Sequence, residues 1–211
     1  MNKPLLIVLA GVNGAGKSTV GGPLLDRADT TWYNPDAYAR ALMADGATSL
    51  ESANSEAWER GRQLLVHAIA TRTPHAFETT LGGGTITAEI LKACTTHDVL
   101  IWFCGLSSPE MHIRRVRERV ARGGHDIPEA KIRERFNTSR ENLVRLMPHV
   151  FELQVFDNSA EAAADGIVPN PVRLLRVSKG VLVWPTDNAT LAATPLWAQP
   201  LVEGALRLPR H

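Results

Sequence analysis

With 211 residues the chain can bury one sizeable core and leaves room for a small appendage rather than a second full domain. A formal net charge of +1 excludes a strongly basic nucleic-acid surface, so any basic chemistry has to be local and nucleic acid is not an expected partner. Two cysteines, Cys94 and Cys104, without metal or CxxC spacing, read as thiols of a reducing compartment.

The first element is the apolar run Leu5–Ala10, a buried strand. Lys3 before it faintly imitates a signal peptide, but the run is short and leads into a glycine-rich loop instead of a cleavage site. No stretch is long enough to span a membrane, and the expected location is cytoplasmic. Gly11, four residues, then Gly16, Lys17 and Ser18 make the G-x-x-x-x-G-K-[ST] phosphate-binding loop, between a strand and a helix as it requires. Backbone N–H groups across Gly11, Asn13, Gly14, Ala15 and Gly16, with Ser18 and Thr19 at the helix start, point at an anion. Lys17 supplies a mobile charge for the terminal phosphates, and the Ser18 hydroxyl suits Mg²⁺. A dinucleotide fingerprint would need glycine or alanine at Thr19.

The first helix runs from Lys17 to about Arg27, bent or thinned at Gly21, Gly22 and Pro23. Thr31 to Asn34 reads as a short second strand, and Pro35 starts a helix. Asp36 then lies on the edge where ligands bind in open α/β sheets. It reads either as a first-turn carboxylate favoured by the helix dipole or as a general base or Mg²⁺-side carboxylate, and the phosphate loop favours the second. A long amphipathic helix spans about Glu51 to Thr71, with Trp58, Leu64, Leu65, Ala68 and Ile69 as its buried face; Arg60 and Arg62 could reach a substrate, but a solvated helix face is the favoured reading for both. His75 to Thr80 is the third strand. It brings Glu78 and Thr80 to the same edge, and a buried glutamate is costly unless paired. LGGGT after it imitates part of a transporter-ATPase signature, but no aspartate-glutamate pair follows.

Asp98 to Gly105 is a central parallel strand. Ser107 or Ser108 caps the next helix, which carries Arg114, Arg115, Arg117, Arg119 and Arg122. GGHDIPE interrupts it, and a further helix carries Lys131, Arg133, Arg135 and Arg140. Two arginine-bearing helices about a glycine hinge read as a lid over transferred phosphate, because guanidinium groups match phosphate oxygens bidentately. Most of these arginines read as partners of Glu110, Glu118, Glu129 and Glu134, leaving one or two for catalysis. Val150 to Phe156 is the fifth strand. Asp157, Asn158 and Ser159 after it read as a loop that meets the adenine or as a cap for SAEAAAD. From Val168 the composition changes: VRLLRVSKGVLVW reads as a hairpin, followed by a short Pro-interrupted helix.

The expected fold is an α/β P-loop NTPase sandwich: five mostly parallel strands, a helical lid, a kinase domain over 1–167 and an extension over 168–211 packed on it.

GVNGAGKST, NPD at Asn34 to Asp36, FETTL at Phe77 to Leu81, WFCGL, RVRERVARGGHDIPE, IRERF and DNS at Asp157 to Ser159 together resemble the zeta-toxin family of P-loop kinases, in its stand-alone bacterial branch. The resemblance spans Leu5 to about Ser159. It implies ATP and Mg²⁺ as cofactors, Asp36 as general base, Glu78 and Thr80 as substrate contacts, and Arg119, Arg122, Arg133 and Arg135 as lid candidates. It implies as acceptor the 3′-hydroxyl of UDP-N-acetylglucosamine; the alternatives are a kinase for an unrelated small metabolite or an RNA end, or an ATP-responsive binding module that hydrolyses little. An antitoxin partner is not deducible from one chain.

Overall fold

The structure is a computed structural model that describes residues 3–18, 20–21, 32–161 and 168–209. Thr19, Thr31, most of the expected first helix and most of SAEAAAD lie outside the described residues. Among the described residues six strands form one sheet in the order β2-β1-β3-β4-β5-β6. They are β1 (Leu5–Ala10), β2 (His75–Thr79), β3 (Asp98–Gly105), β4 (Glu152–Asp157), β5 (Val172–Ser178) and β6 (Val181–Trp184). The first four are mutually parallel, and β5 and β6 add antiparallel at the edge.

Strand β1 holds the centre because both its faces are apolar. Leu6, Val8 and Ala10 enter the main core, while Ile7 and Leu9 pack on the other side with Ala76, Trp32 and Trp102. Its two neighbours lie on opposite sides, so the chain reverses its order there, and the crevice beyond the end of β1 is the place for a ligand.

The mostly parallel α/β architecture is the expected one, but the strand inventory differs in two ways. The hairpin is part of the sheet, with β5 paired along β4 from Asp157↔Val172 to Glu152↔Ser178. The expected second strand contributes one parallel bridge, Tyr33↔Phe77. It stops there because Asn34 turns away to cap the next helix, its side chain accepting from the Ala37 N–H, with Pro35 in the first turn.

Among the described residues the helices are α1 (Pro35–Ala44), α2 (Leu50–Thr71), α3 (Gly84–Thr96), α4 (Pro109–Val120), α5 (Glu129–Leu146), α6 (Asn188–Ala192) and α7 (Gln199–Leu206). None is long and apolar enough to cross a membrane. On α2 the expected buried face holds for Leu65 and Ala68, joined by Ala53 and Ala57. Trp58 departs from it at 47% exposed, because the small alanines carry the packing and the indole faces a cavity. Ser108, not Ser107, caps α4 by accepting from Met111 N–H at 3.2 Å. The C-terminal stretch closes the core. Trp197, Leu201, Val202, Ala205 and Leu208 join Leu175 and Val177, and the Trp197 ring lies flush on Gly105, where a Cβ would overlap it.

Candidate active site

The loop after β1 is locked from several sides. Gly11 has φ +141, and a Cβ there would overlap the Cys104 carbonyl, so only glycine lets the chain turn against β3. The Cys104 thiol beneath is pushed up to about 12 by burial, and that of Cys94 to about 11, so both are inert and protonated. Asn158 donates to the Ala15 carbonyl at 2.9 Å and packs on Gly16. The Asp157 carboxylate accepts from Ser159 N–H and from the Ser159 hydroxyl, and that hydroxyl accepts from Ser107 N–H. The residues expected at the adenine thus buttress the phosphate loop and tie it to the end of β3.

Helix α4 grips the same loop from above. His112, 1% exposed, donates from Nδ1 to the Asn13 carbonyl at 2.9 Å. Burial pulls its pKa from 6.5 down to about 4, the Asn13 bond opposing and Lys17 and Arg115 adding to the depression. The unfolded chain takes up this proton near pH 6.5, whereas the folded one resists until about pH 4. Stability from neutral His112 is therefore complete above pH 6.5 and lost as pH falls to about 4, on the order of 3 kcal/mol in all. The thermal midpoint should drop across that window. His112→Asn, which keeps an N–H donor but does not titrate, should flatten the drop; an unchanged slope would show that His112 does not carry it.

Lys17 and Ser18 sit in the first helical turn beyond the loop. Both face Glu78 at the end of β2. Lys17 Nζ lies 3.3 Å from Glu78 Oε1, and the Ser18 hydroxyl donates to Oε2 at 2.9 Å. Asn34 Nδ2 donates to the same Oε2 at 3.1 Å. Lys17 and Glu78 are 7% and 8% exposed, so this is a buried pair whose carboxylate is held by hydrogen bonds as well as charge. Asn34 is thus both the cap of α1 and a hydrogen-bond donor to Glu78, whereas from the sequence it reads as the end of a strand.

After β2 the chain turns sharply. Leu81 adopts φ +55, its N–H bonded to the Thr79 hydroxyl and its carbonyl to Asn142 Nδ2. Such a backbone in a leucine is uncommon and is held here by its surroundings. Gly82 lets the Arg135 side chain lie across it. Arg135 Nη1 then donates to Asn13 Oδ1 at 2.7 Å, joining α5 to the phosphate loop. Burial lowers the Arg135 pKa, while Asp36 and Glu134 oppose this.

Asp36, in the first turn of α1, faces the same space. Arg119 Nη1 approaches its Oδ2 at 3.4 Å, and His125 Nε2 its Oδ1 at 3.7 Å. Between these groups lies a cavity of about 420 Å³. Lys17, Asn13, Glu78 and Thr80 form its phosphate-loop wall, and Tyr33, Phe77, Ile86 and Trp58 an apolar wall. Arg62, Lys131 and Arg135 add positive charge to it. Arg62 was expected on a solvated face; Glu59 holds its guanidinium at 2.9 and 2.7 Å beside the cavity.

The lid arginines separate by helix face. Arg119 and Arg135 reach the site. Arg133 instead pairs with Glu110 at 2.6 Å outside the cavity lining, and Arg122 is exposed. Arg133 turns to Glu110 rather than to the cavity, and Arg122 lies past the end of α4 in an exposed turn.

A strand, a glycine-rich loop and a helix start converging on a lysine and a serine, at the point where the sheet reverses its order, define an α/β P-loop NTPase-like protein. The chain belongs to the AAA domain family AAA_33, whose model matches residues 6–143. No curated protein matches the chain in sequence. Among solved structures, a chain of AvrRxo1-ORF1:-ORF2 with ATP aligns with a TM-score of 0.64 at 18% identity, covering 90% of this chain and 63% of that one. The chain thus spans less than two thirds of that structure's length. A chain of the PezAT toxin-antitoxin system of Streptococcus pneumoniae aligns with a TM-score of 0.53 at 15% identity, covering 98% and 86%. A putative kinase from Chloroflexus aurantiacus aligns with a TM-score of 0.52 at 17% identity, covering 62% and 77%. At such identities the likeness is one of fold.

Proposed function

We propose that the protein is a kinase that transfers the γ-phosphate of ATP to a hydroxyl of a small molecule held in the cavity between β2, α1, α2 and α5. One observation carries this reading: a single cavity is lined both by Lys17 of the phosphate loop and by a carboxylate, Asp36. A site that only binds nucleotide has no use for a carboxylate there. In the transfer, the acceptor oxygen bonds to the γ-phosphorus as the bond to the β-phosphate oxygen breaks. Asp36 takes the hydroxyl proton, and ADP leaves. Lys17 and Arg135 meet the charge that gathers on the transferred group.

The residues present fit Mg²⁺. The Ser18 hydroxyl and the Glu78 carboxylate are hard oxygen donors 2.9 Å apart at the start of the helix. When bound, the ion neutralises charge on the β- and γ-phosphate oxygens. Glu78 then acts on the metal side of the site, leaving Thr80 and Asp36 to the acceptor.

For the acceptor we propose a nucleotide sugar of the UDP-N-acetylglucosamine type, as the sequence resemblance implies. The aromatic edge of Trp58 and Tyr33 suits a base, and Arg62 and Lys131 suit a diphosphate. The volume is within the range of about 300–1,000 Å³ usual for small-molecule sites. Purified protein with [γ-³²P]ATP, Mg²⁺ and a panel of UDP-sugars, free sugars and metabolite alcohols tests both levels. Label on UDP-N-acetylglucosamine supports the finer reading. Label on another alcohol leaves the kinase and removes the sugar nucleotide, and label on none removes the kinase.

A further inference from the structure

The turn between α4 and α5 carries a group that the proposed chemistry leaves unused. Helix α4 ends where Gly123 takes φ +89, with its N–H bonded to the Val120 carbonyl at 2.9 Å. Gly124 then tucks against the Arg119 backbone, where a Cβ would come within 2.9 Å of the carbonyl oxygen, and its N–H donates to that oxygen at 3.0 Å. The two glycines fold the chain back under its own helix, so the next residue, His125, points into the cavity. Arg119 fastens it there, since Nη2 donates to the His125 carbonyl at 3.1 Å while Nη1 reaches Asp36.

The His125 side chain is 8% exposed, and its Nε2 is buried without a hydrogen-bond partner among the described residues. A buried polar atom without a partner costs about 1–3 kcal/mol, so its presence calls for a reason. Asp36 Oδ1 lies 3.7 Å away, just outside bonding range. Catalytic hydrogen bonds are often long before substrate is bound and shorten when the site closes.

We propose that His125 is a positioning residue for Asp36: when the turn closes on bound substrate, its Nε2–H donates to Oδ1 while Arg119 holds Oδ2. The carboxylate is then fixed at both oxygens, and its remaining lone pairs face the acceptor hydroxyl. Burial lowers the His125 pKa against the pull of Asp36, so the imidazole is neutral near pH 7. A neutral donor orients the base, whereas a second cation beside Arg119 would also weaken it as a proton acceptor. The same contact makes the base competent only when the lid is down, which keeps water from the phosphate while the acceptor site is empty.

This inference rests on Asp36 being the base, and a double-mutant cycle separates the two. Release of label from [γ-³²P]ATP is measured to water and to UDP-N-acetylglucosamine in wild type, His125→Leu, His125→Gln, Asp36→Asn and the Asp36→Asn/His125→Leu double variant. Binding of a fluorescent ATP analogue and the thermal midpoint show whether each variant is folded. His125→Leu should lower kcat on the order of 10²-fold at unchanged KM for ATP, as a misplaced catalytic group does. His125→Gln, which returns an N–H donor, should recover most of that loss. In the Asp36→Asn background His125→Leu should cost nothing further. Equal losses in both backgrounds, or no loss in wild type, would overturn the proposal while leaving Asp36 in place. Full activity of Asp36→Asn alone would remove the base and His125 with it. Amide exchange across 121–128 gives a readout independent of turnover: it should quicken in His125→Leu and return with His125→Gln, and equal rates in all three would count against the contact.

Discussion

Asp36→Asn should lower phosphoryl transfer by about 10²–10⁴-fold, the usual worth of a positioned general base. The substitution keeps the shape and one acceptor oxygen, so Arg119 retains a partner. It removes the ability to take a proton, together with the negative charge that faces Arg119 and Arg135. ATP binding should stay within about twofold, because the groups around the phosphates are the loop backbone, Lys17, Ser18 and Arg135, and Asp36 touches none of these directly. Steady-state kinetics with a titration of a fluorescent ATP analogue separate the two effects. A variant as fast as wild type would show that Asp36 is the dipole-favoured carboxylate of an ordinary first turn.

Glu78→Ala should destabilise the ligand-free protein by about 3–5 kcal/mol, the cost of breaking a buried ion pair by removing one partner. Lys17, at 7% exposed, would keep its charge with no counter-charge, and the Ser18 hydroxyl and Asn34 amide would lose their acceptor. For a chain of this length that is a fall in thermal midpoint of roughly 10 °C. The variant should also regain more stability from Mg²⁺-free ATP than wild type does, since the terminal phosphate supplies the charge that Lys17 lacks. Calorimetry with and without ATP measures both. A midpoint within a degree of wild type would mean the pair contributes nothing to stability.

The phosphate loop, Asp36 and Glu78 were legible because their chemistry is written locally: a motif in its strand-helix context, and carboxylates at strand ends where a packed sheet has no use for them. The place of the hairpin was not, since Val172–Ser178 pairs with β4 through contacts that only the folded chain assembles. Nor were the arginines resolvable one by one. Arg133 and Arg135 lie two positions apart on α5, about 200° around the axis, so one faces Glu110 and the other the loop. Periodicity gives that opposition but not which side is inward. Trp58 misled because an apolar residue on an amphipathic helix reads as core, although α2 packs through alanines and turns its indole to the cavity. Asn34 reads as the end of a short strand and His125 as part of a turn, and neither reading points to a side-chain partner across the site.

The Asn158–Ala15 bond joins residues 143 apart in sequence, and Ser18 meets Glu78 across 60. During synthesis the anion-binding loop therefore leaves the ribosome long before any of its supports. Lys17 lacks the Glu78 counter-charge until β2 is made, and the loop lacks the Asn158 brace until β4 is finished. Nucleotide affinity is consequently a late property of the nascent chain, acquired together with the tertiary fold. Ribosome-bound intermediates of increasing length should take up ATP only after the segment carrying Asn158 has emerged, with Trp197 then sealing the sheet beneath it.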